Sequence, residues 1–259
     1  MMTALDALFF ERLCHEELSR EKERESIGLL AEKRLHSVLK RWVCDDFAAH
    51  EQKVAGRGEK SRKITADVLT RDGQIFEIQT GSLYPLRDKI SFYLTQTDYR
   101  VTVVHPLVGC KYISRISPES GELQKRSRSP KKEGLADGVA RLRYLAEHLQ
   151  NPRLSVIFPV IEAEEFRLLD DKARRDGSRR SRRYELIPTR LMDLHRIDSV
   201  ADYLPLLEGL PEEFTAKQLS KTHKLRGYAP YFLLTVLQTL GLVQKTGKQG
   251  RATLWARIP

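Results

Sequence analysis

The sequence predicts an α/β fold, with helices packed on a mixed sheet and a smaller helical module at the C-terminal end. Three observations lead there: an amphipathic stretch over residues 26–42, two short β-rich runs flanking Asp72-Gly73, and a helix, turn, helix, two-strand order after Leu210. In the first, Ile27, Leu30, Ala31, Leu35, Val38, Leu39 and Trp42 recur at the three-four spacing of one helix face, behind Ser26 as N-cap. The basic, Gly-containing stretch Lys53–Lys63 then reads as partly loop.

The runs Ile64–Thr70 (ITADVLT) and Gln74–Thr80 (QIFEIQT) read as strands of a hairpin turning at Asp72-Gly73. After Gly81 and Pro85 a helix is expected from Leu86 to Leu94, with Leu86, Ile90, Tyr93 and Leu94 inward. Tyr84 beside Pro85 reads as loop packing, and Tyr99–Val108 as a buried strand. Glu122–Lys132 is polar and basic and reads as a loop; Leu135–Leu149 reads as a further amphipathic helix through Leu135, Val139, Leu142, Leu145 and Leu149. Leu154–Leu169 and Tyr184–Leu194 are strand-prone, and Lys172–Arg183 (KARRDGSRRSRR) between them is a hairpin tip or basic arm. Near the end, Thr215 opens a helix with Gln218 completing a capping box, and Pro230 starts a second helix that stops at Gly241. Leu242–Lys245 and Thr253–Ile258 follow as short strands about a basic Gly turn, the order of a winged helix. The expected division is residues 1–150, a β-rich extension with the Arg-rich arm over 151–205, and the winged helix over 206–259.

Composition narrows the function. The 259 residues are 41% hydrophobic, enough for a substantial core, while 45 Lys and Arg against 35 Asp and Glu give a net charge of +10 and point to a polyanionic partner. No apolar run reaches the roughly 18 residues of a membrane span, and the N-terminus lacks the basic start of a signal peptide. Cys14, Cys44 and Cys110 lie far apart, with no CxxC pair. These features argue against a secreted, membrane-spanning or zinc-finger protein, so a cytoplasmic location with no membrane partner is expected.

The residues with chemical promise are Asp67, Glu77 and Gln79. Glu77 and Gln79 share one face of their strand because the side-chain period is two, while Phe76 and Ile78 face apolar packing. The register follows by counting. A two-residue Asp72-Gly73 turn places Asp67 opposite Ile78, on the wrong face. A three-residue Arg71-Asp72-Gly73 loop, with Gly73 in the left-handed position, pairs Thr70 with Gln74 and so Asp67 with Glu77. It also stacks Ala66 on Ile78 and Val68 on Phe76, leaving one face uniformly apolar. Two acids on one face repel each other unless a cation lies between them, and Mg²⁺ prefers such hard oxygen ligands.

Asp67 followed by Glu77-Ile78-Gln79-Thr80-Gly81 resembles the core of the PD-(D/E)xK nucleases, in which an Asp and a Glu-x-Lys on neighbouring strands bind Mg²⁺. The motif spans about Gly28–Pro106; more loosely, most of the chain resembles an uncharacterised bacterial family joining such a core to a C-terminal winged helix. The resemblance implies a restriction-endonuclease-like core and DNA phosphodiester hydrolysis, with Mg²⁺ or Mn²⁺ held by Asp67, Glu77 and the carbonyl of Ile78. It also implies that Glu32, on the preceding helix, completes the site; solvation or pairing with His36 at i+4 is the simpler fate of that side chain. Gln79 stands where the superfamily has Lys. Some members remain active with Gln, and in others the Lys has moved to the following helix, where this chain has Arg87 and Lys89. Loss of catalysis is the third outcome.

Candidate contacts to nucleic-acid backbone are Arg87, Arg179, Arg180, Arg182 and Arg183, with Lys125, Arg126, Arg128, Lys131 and Lys132 extending that surface, and Arg226, Lys245, Lys248 and Arg251 in the last block. The second helix of that block has Tyr231, Thr235, Gln238 and Thr239 but no Arg or Lys, so contact with a protein partner or homodimerisation competes with DNA binding there. His50 and His105 show no metal-ligand spacing and read as structural. Beside the nuclease stand two alternatives: a catalytically inactive DNA-binding or regulatory protein on the same scaffold, and a protein-interaction module.

Overall fold

A computed structural model of the chain describes residues 6–19, 30–58, 62–117, 119–173 and 179–258; within these, the side chains at 18, 30–33, 170–173, 179, 180, 182 and 184 lie outside the description. The described elements are α1 (Ala7–Ser19), α2 (Leu30–Val43), β1 (His50–Ala55), β2 (Lys63–Leu69), β3 (Gln74–Ile78), α3 (Arg87–Gln96), β4 (Arg100–Val104), β5 (Leu107–Ile116), β6 (Leu123–Arg128), α4 (Leu135–Arg141), β7 (Leu154–Ala173), β8 (Arg179–Ile197), β9 (Glu213–Thr215), α5 (Ala216–His223), α6 (Ala229–Thr239), β10 (Val243–Gln249) and β11 (Ala252–Arg257). The protein is mixed α/β, as its sequence leads one to expect. None of the described helices is long and apolar enough to cross a membrane.

Two compact units interleave along the chain. The first comprises residues 1–48, 108–133 and 159–194, the second residues 49–107, 134–158 and 195–259. In the first unit α1 and α2 pack through Phe10, Leu13, Leu35, Val38, Leu39 and Trp42, all buried, with the Phe10 and Trp42 rings edge to face at 5.6 Å. Arg41 ties the pair together by holding Glu16 at 2.8 Å and Asp45 at 2.9 Å. The Ile27 position and the Ser26 cap lie outside the described residues. β5 and β6 form an antiparallel pair from Tyr112↔Arg128 to Ile116↔Leu123. β6 corrects the loop expected over 122–132. Its side chains are almost all exposed, and a polar edge strand lacks the hydrophobic alternation that marks a strand in sequence.

In the second unit the strand order is β1-β2-β3-β4 and then the start of β7. β1/β2 and β2/β3 are antiparallel, whereas β3/β4 and β4/β7 are parallel. β1 occupies part of the stretch expected to be irregular before Lys63. The hairpin has the three-residue loop. Thr70 N–H donates to the Gln74 carbonyl at 2.9 Å, Gly73 N–H to the Thr70 carbonyl at 3.1 Å, and Gly73 has φ +77°. Val68 accordingly pairs with Phe76 and Leu69 with Ile75. β3 and β4 carry consecutive buried residues, Ile75–Ile78 and Val101–Val104, the mark of strands covered on both faces. β4 ends before Pro106, which can donate no ladder hydrogen bond, so the expected strand over 99–108 is two strands. α3 follows β3 with Leu86, Ile90, Tyr93 and Leu94 inward as expected. Arg153 closes its C-terminal end, donating to the carbonyls of Leu94 and, at 2.7 Å, Thr97.

α4 is shorter than the expected 135–149 helix. It passes at Leu142 into two successive 3₁₀ turns closed by i→i+3 bonds, Leu145 N–H to the Leu142 carbonyl at 2.8 Å and His148 N–H to the Leu145 carbonyl at 2.9 Å. Leu142, Leu145 and Leu149 remain buried, so the apolar spacing is satisfied by a different helix type. α4 packs on α6. The C-terminal block runs β9, α5, α6, β10, β11, with a three-stranded antiparallel sheet in the order β10-β11-β9. Thr215 and Gln218 form the expected capping box, with Thr215 N–H donating to Gln218 Oε1 at 2.8 Å. β10 and β11 extend further into the basic segment than expected and leave a two-residue Gly250-Arg251 turn.

Candidate functional site

The site is built where β2 and β3 part. Beyond Val68 the backbone ladder stops, and the carboxylate of Asp67 takes over: its Oδ2 accepts the N–H of Ile78 at 2.7 Å. The neighbouring N–H, that of Gln79, points the other way and donates to the Val104 carbonyl at 3.0 Å. Glu77, between two buried hydrophobic residues of a covered strand, is 1% exposed. Its carboxylate is met from above by α3, where Lys89 and Tyr93 stand four apart on one face. Lys89 Nζ lies 2.6 Å from Oε2 and Tyr93 Oη donates to Oε1 at 2.8 Å.

The electrostatics are unbalanced. Burial pushes the Glu77 carboxyl up; Lys89 pulls it down, the negative charge of Asp67 raises it again, and the hydrogen bonds from Lys89 and Tyr93 lower it, leaving it at about 7 instead of 4.5. Burial, and then the charge of Glu77, likewise hold the Tyr93 phenol well above its ordinary value, so it acts as a fixed donor. One ammonium, one neutral hydroxyl and a second carboxylate are too little positive charge for a buried anion.

Gln79 sits at the end of β3, half-buried, and donates its amide to the Ser82 carbonyl at 2.8 Å. Its own carbonyl is held by His105 Nδ1 at 2.5 Å, and His105 Nε2 lies 2.9 Å from Arg141 Nη1. A guanidinium can only donate, so Nε2 accepts and Nδ1 carries the proton: the imidazole is neutral and clamps the backbone at Gln79. His105 is therefore structural, as its isolation in the sequence suggests. Arg141 and Tyr93 were not legible as site residues. The first sits 62 positions beyond Gln79 (141 − 79), and the second already satisfies the apolar periodicity of its helix. The only signal was the four-residue spacing of Lys89 and Tyr93.

Asp67, Glu77, Ile78, Gln79 and Lys89 thus lie together in the second unit. Arg87 is exposed and lies over the ring of Tyr84, 5.3 Å from its centroid. Tyr84 itself is 55% exposed, more than packing within its loop would leave it. Glu32 belongs to α2 of the first unit, and its side chain lies outside the described residues, as do those of Arg179, Arg180 and Arg182. Arg183 is exposed on β8. Arg126 is committed internally, to Glu164 at 2.9 Å and over the Tyr112 ring at 3.9 Å. Lys248 and Arg251 are exposed at the β10–β11 hairpin. On α6 the hydroxyls of Thr235 and Thr239 donate back to the carbonyls of Tyr231 and Thr235. Among the described residues no group of three or more His, Cys, Asp and Glu gathers.

No curated protein and no solved structure matches the chain. The model of a domain family of unknown function, DUF8091, matches residues 33–198, which include every residue of the Asp67–Glu77 site, and the chain belongs to that family.

Proposed function

We propose that this family member is a Mg²⁺-dependent nuclease that hydrolyses DNA phosphodiester bonds, built on a PD-(D/E)xK-type core with a C-terminal winged helix and working in the cytoplasm. The observation that carries the reading is the deficit of positive charge at Glu77, a buried carboxylate raised by burial and by Asp67 and countered by one lysine. Two carboxylates and the carbonyl of Ile78 are hard oxygen donors and fit a small divalent cation. When bound there, such an ion lowers the pKa of a coordinated water and shields the charge of the scissile phosphate.

The chain's own groups do the rest. Tyr93 holds Oε1 of Glu77 in one rotamer, and the Ile78 N–H does the same for Asp67. Lys89 supplies the cation that Gln79 lacks. Its ammonium neutralises Glu77 and is released toward a phosphate when that charge is met otherwise. Gln79, aimed by Ser82 and clamped by His105, offers a neutral hydrogen bond at the place of the superfamily's lysine. Exposed Lys248 and Arg251 would bear on the phosphate backbone. Cleavage assays on single-stranded, duplex and branched DNA with Mg²⁺ or Mn²⁺ test the reading; DNA left intact at every metal concentration ends it.

A second reading has its own observation. Both oxygens of Glu77 already have donors and Gln79 is uncharged, which suits a catalytically inactive DNA-binding protein on the same scaffold. It requires binding with a steep salt dependence that Glu77→Gln leaves unchanged.

A further inference from the structure

The loop that leaves Gln79 leads into a run of four aromatic rings and two guanidinium groups, all within the second unit. Arg87 lies over Tyr84, whose ring meets Tyr144 edge to face at 5.5 Å. Arg143 is sandwiched, its guanidinium carbon 4.1 Å from the Tyr144 centroid and 3.7 Å from that of Phe232. Phe232 in turn lies 6.3 Å from Tyr228. The run joins three elements distant in sequence: the 3₁₀ turn before α3, the 3₁₀ turn after α4, and the start of α6. It is anchored at the site end, because Ser82, whose carbonyl takes the Gln79 amide, also accepts the Tyr84 N–H on its hydroxyl at 3.2 Å.

Its exposure sets it apart. Tyr84 is 55% exposed and Tyr228 75%, with Tyr231 at 59% one turn along α6. Large aromatic faces left in water, interleaved with arginine instead of aliphatic side chains, suit a ligand that is both flat and anionic. Bases stack on such exposed rings, while Arg87, beside Asp88 at 3.1 Å, and Arg143, with one N–H on the Tyr144 hydroxyl, supply the positive charge for the phosphates. Within a duplex the base faces already stack on one another, so only unpaired nucleotides can use the surface. The +10 net charge supports the sign of the ligand.

We propose that this run is a stacking platform for unpaired bases, so that the strand presented to the Asp67–Glu77 site is single-stranded or a frayed end, not continuous duplex. The inference rests on the nuclease reading for what happens to the strand, but the platform is measured without metal. In EDTA, fluorescence anisotropy of a labelled single-stranded oligonucleotide and of the same sequence as duplex should show at least tenfold tighter binding of the single strand to the full chain. Tyr84→Ala combined with Tyr228→Ala should weaken single-strand binding about tenfold or more and duplex binding less than twofold. The double Phe variant should retain the preference, which separates stacking from loss of a hydroxyl. A 2-aminopurine in the single strand should be quenched by the parent chain and not by the double Ala variant. Equal affinity for the two forms, equal loss for both, or no binding of either, as a protein-docking surface would give, overturns the platform. Failure of Mn²⁺-dependent cleavage with the single-strand preference intact overturns the nuclease reading and leaves the platform standing.

Discussion

Glu77 in the second unit and Glu165 in the first are both glutamates on strands, and they are 1% and 3% exposed. Burial raises both. At Glu165, hydrogen bonds and charge from Lys111 and Arg167, each at 2.5 Å, overcome it and hold the carboxyl below its ordinary value. At Glu77 a single lysine faces burial plus the charge of Asp67, and the carboxyl ends near 7. Two cations make a closed structural ion pair; one cation and a competing acid leave a site short of charge. Both side chains are almost inaccessible to solvent, but Glu77 is the more deeply desolvated, so deeper burial together with fewer neighbouring cations separates candidate chemistry from scaffold.

The largest test of this contrast is catalytic. Asp67→Ala or Glu77→Ala should lower metal-dependent DNA cleavage by at least about a hundredfold, while Glu165→Gln, provided it folds, should leave the rate per folded molecule within about twofold. Stability should invert the order. Glu165→Gln strands two cations and should cost about 2 kcal/mol in urea unfolding, whereas Glu77→Gln at pH 8 should be neutral or stabilising, since it removes a carboxylate whose ionisation the fold opposes. Equal losses in the two variants would erase the distinction.

The pH dependence sharpens it further. With its carboxyl raised from 4.5 to about 7, folded Glu77 holds a proton that the unfolded chain has released. In EDTA its contribution therefore falls as pH rises from about 4.5 to about 7, by roughly 3 kcal/mol at most, and is flat above that. Glu165 contributes with the opposite slope, its stabilisation lost as pH falls through its depressed folded value. Wild type minus Glu77→Gln should isolate the first slope, and its absence would place Glu77 outside a low-dielectric site. Smaller again, Gln79→Lys should raise cleavage by up to about tenfold if the neutral amide limits the rate, and a fall would instead assign Gln79 the positioning role its Ser82 contact suggests.

Local signals carried much of this fold. The hairpin register was legible because Gly73 and the Val68, Phe76 and Ala66 pattern agree on one loop length. The Thr215–Gln218 cap was legible because its partners stand only three positions apart. β6 was not, since an exposed strand carries no apolar alternation, and the turn from α4 into 3₁₀ geometry depends on packing and not on spacing. At the site, sequence brings Asp67, Glu77 and Gln79 onto one hairpin. It is silent on Tyr93 as a donor, on the Arg141–His105 clamp, and on the Tyr84–Tyr228 run, because those depend on contacts between distant segments.

The interleaving of the two units has a consequence for how the protein is made. The chain passes from one unit to the other after residues 48, 107, 133, 158 and 194. Neither unit is one continuous stretch of chain, and the first is complete only once residue 194 has been made, so its closure joins segments more than a hundred positions apart. Long-range closure of this kind makes slow folding the expected behaviour.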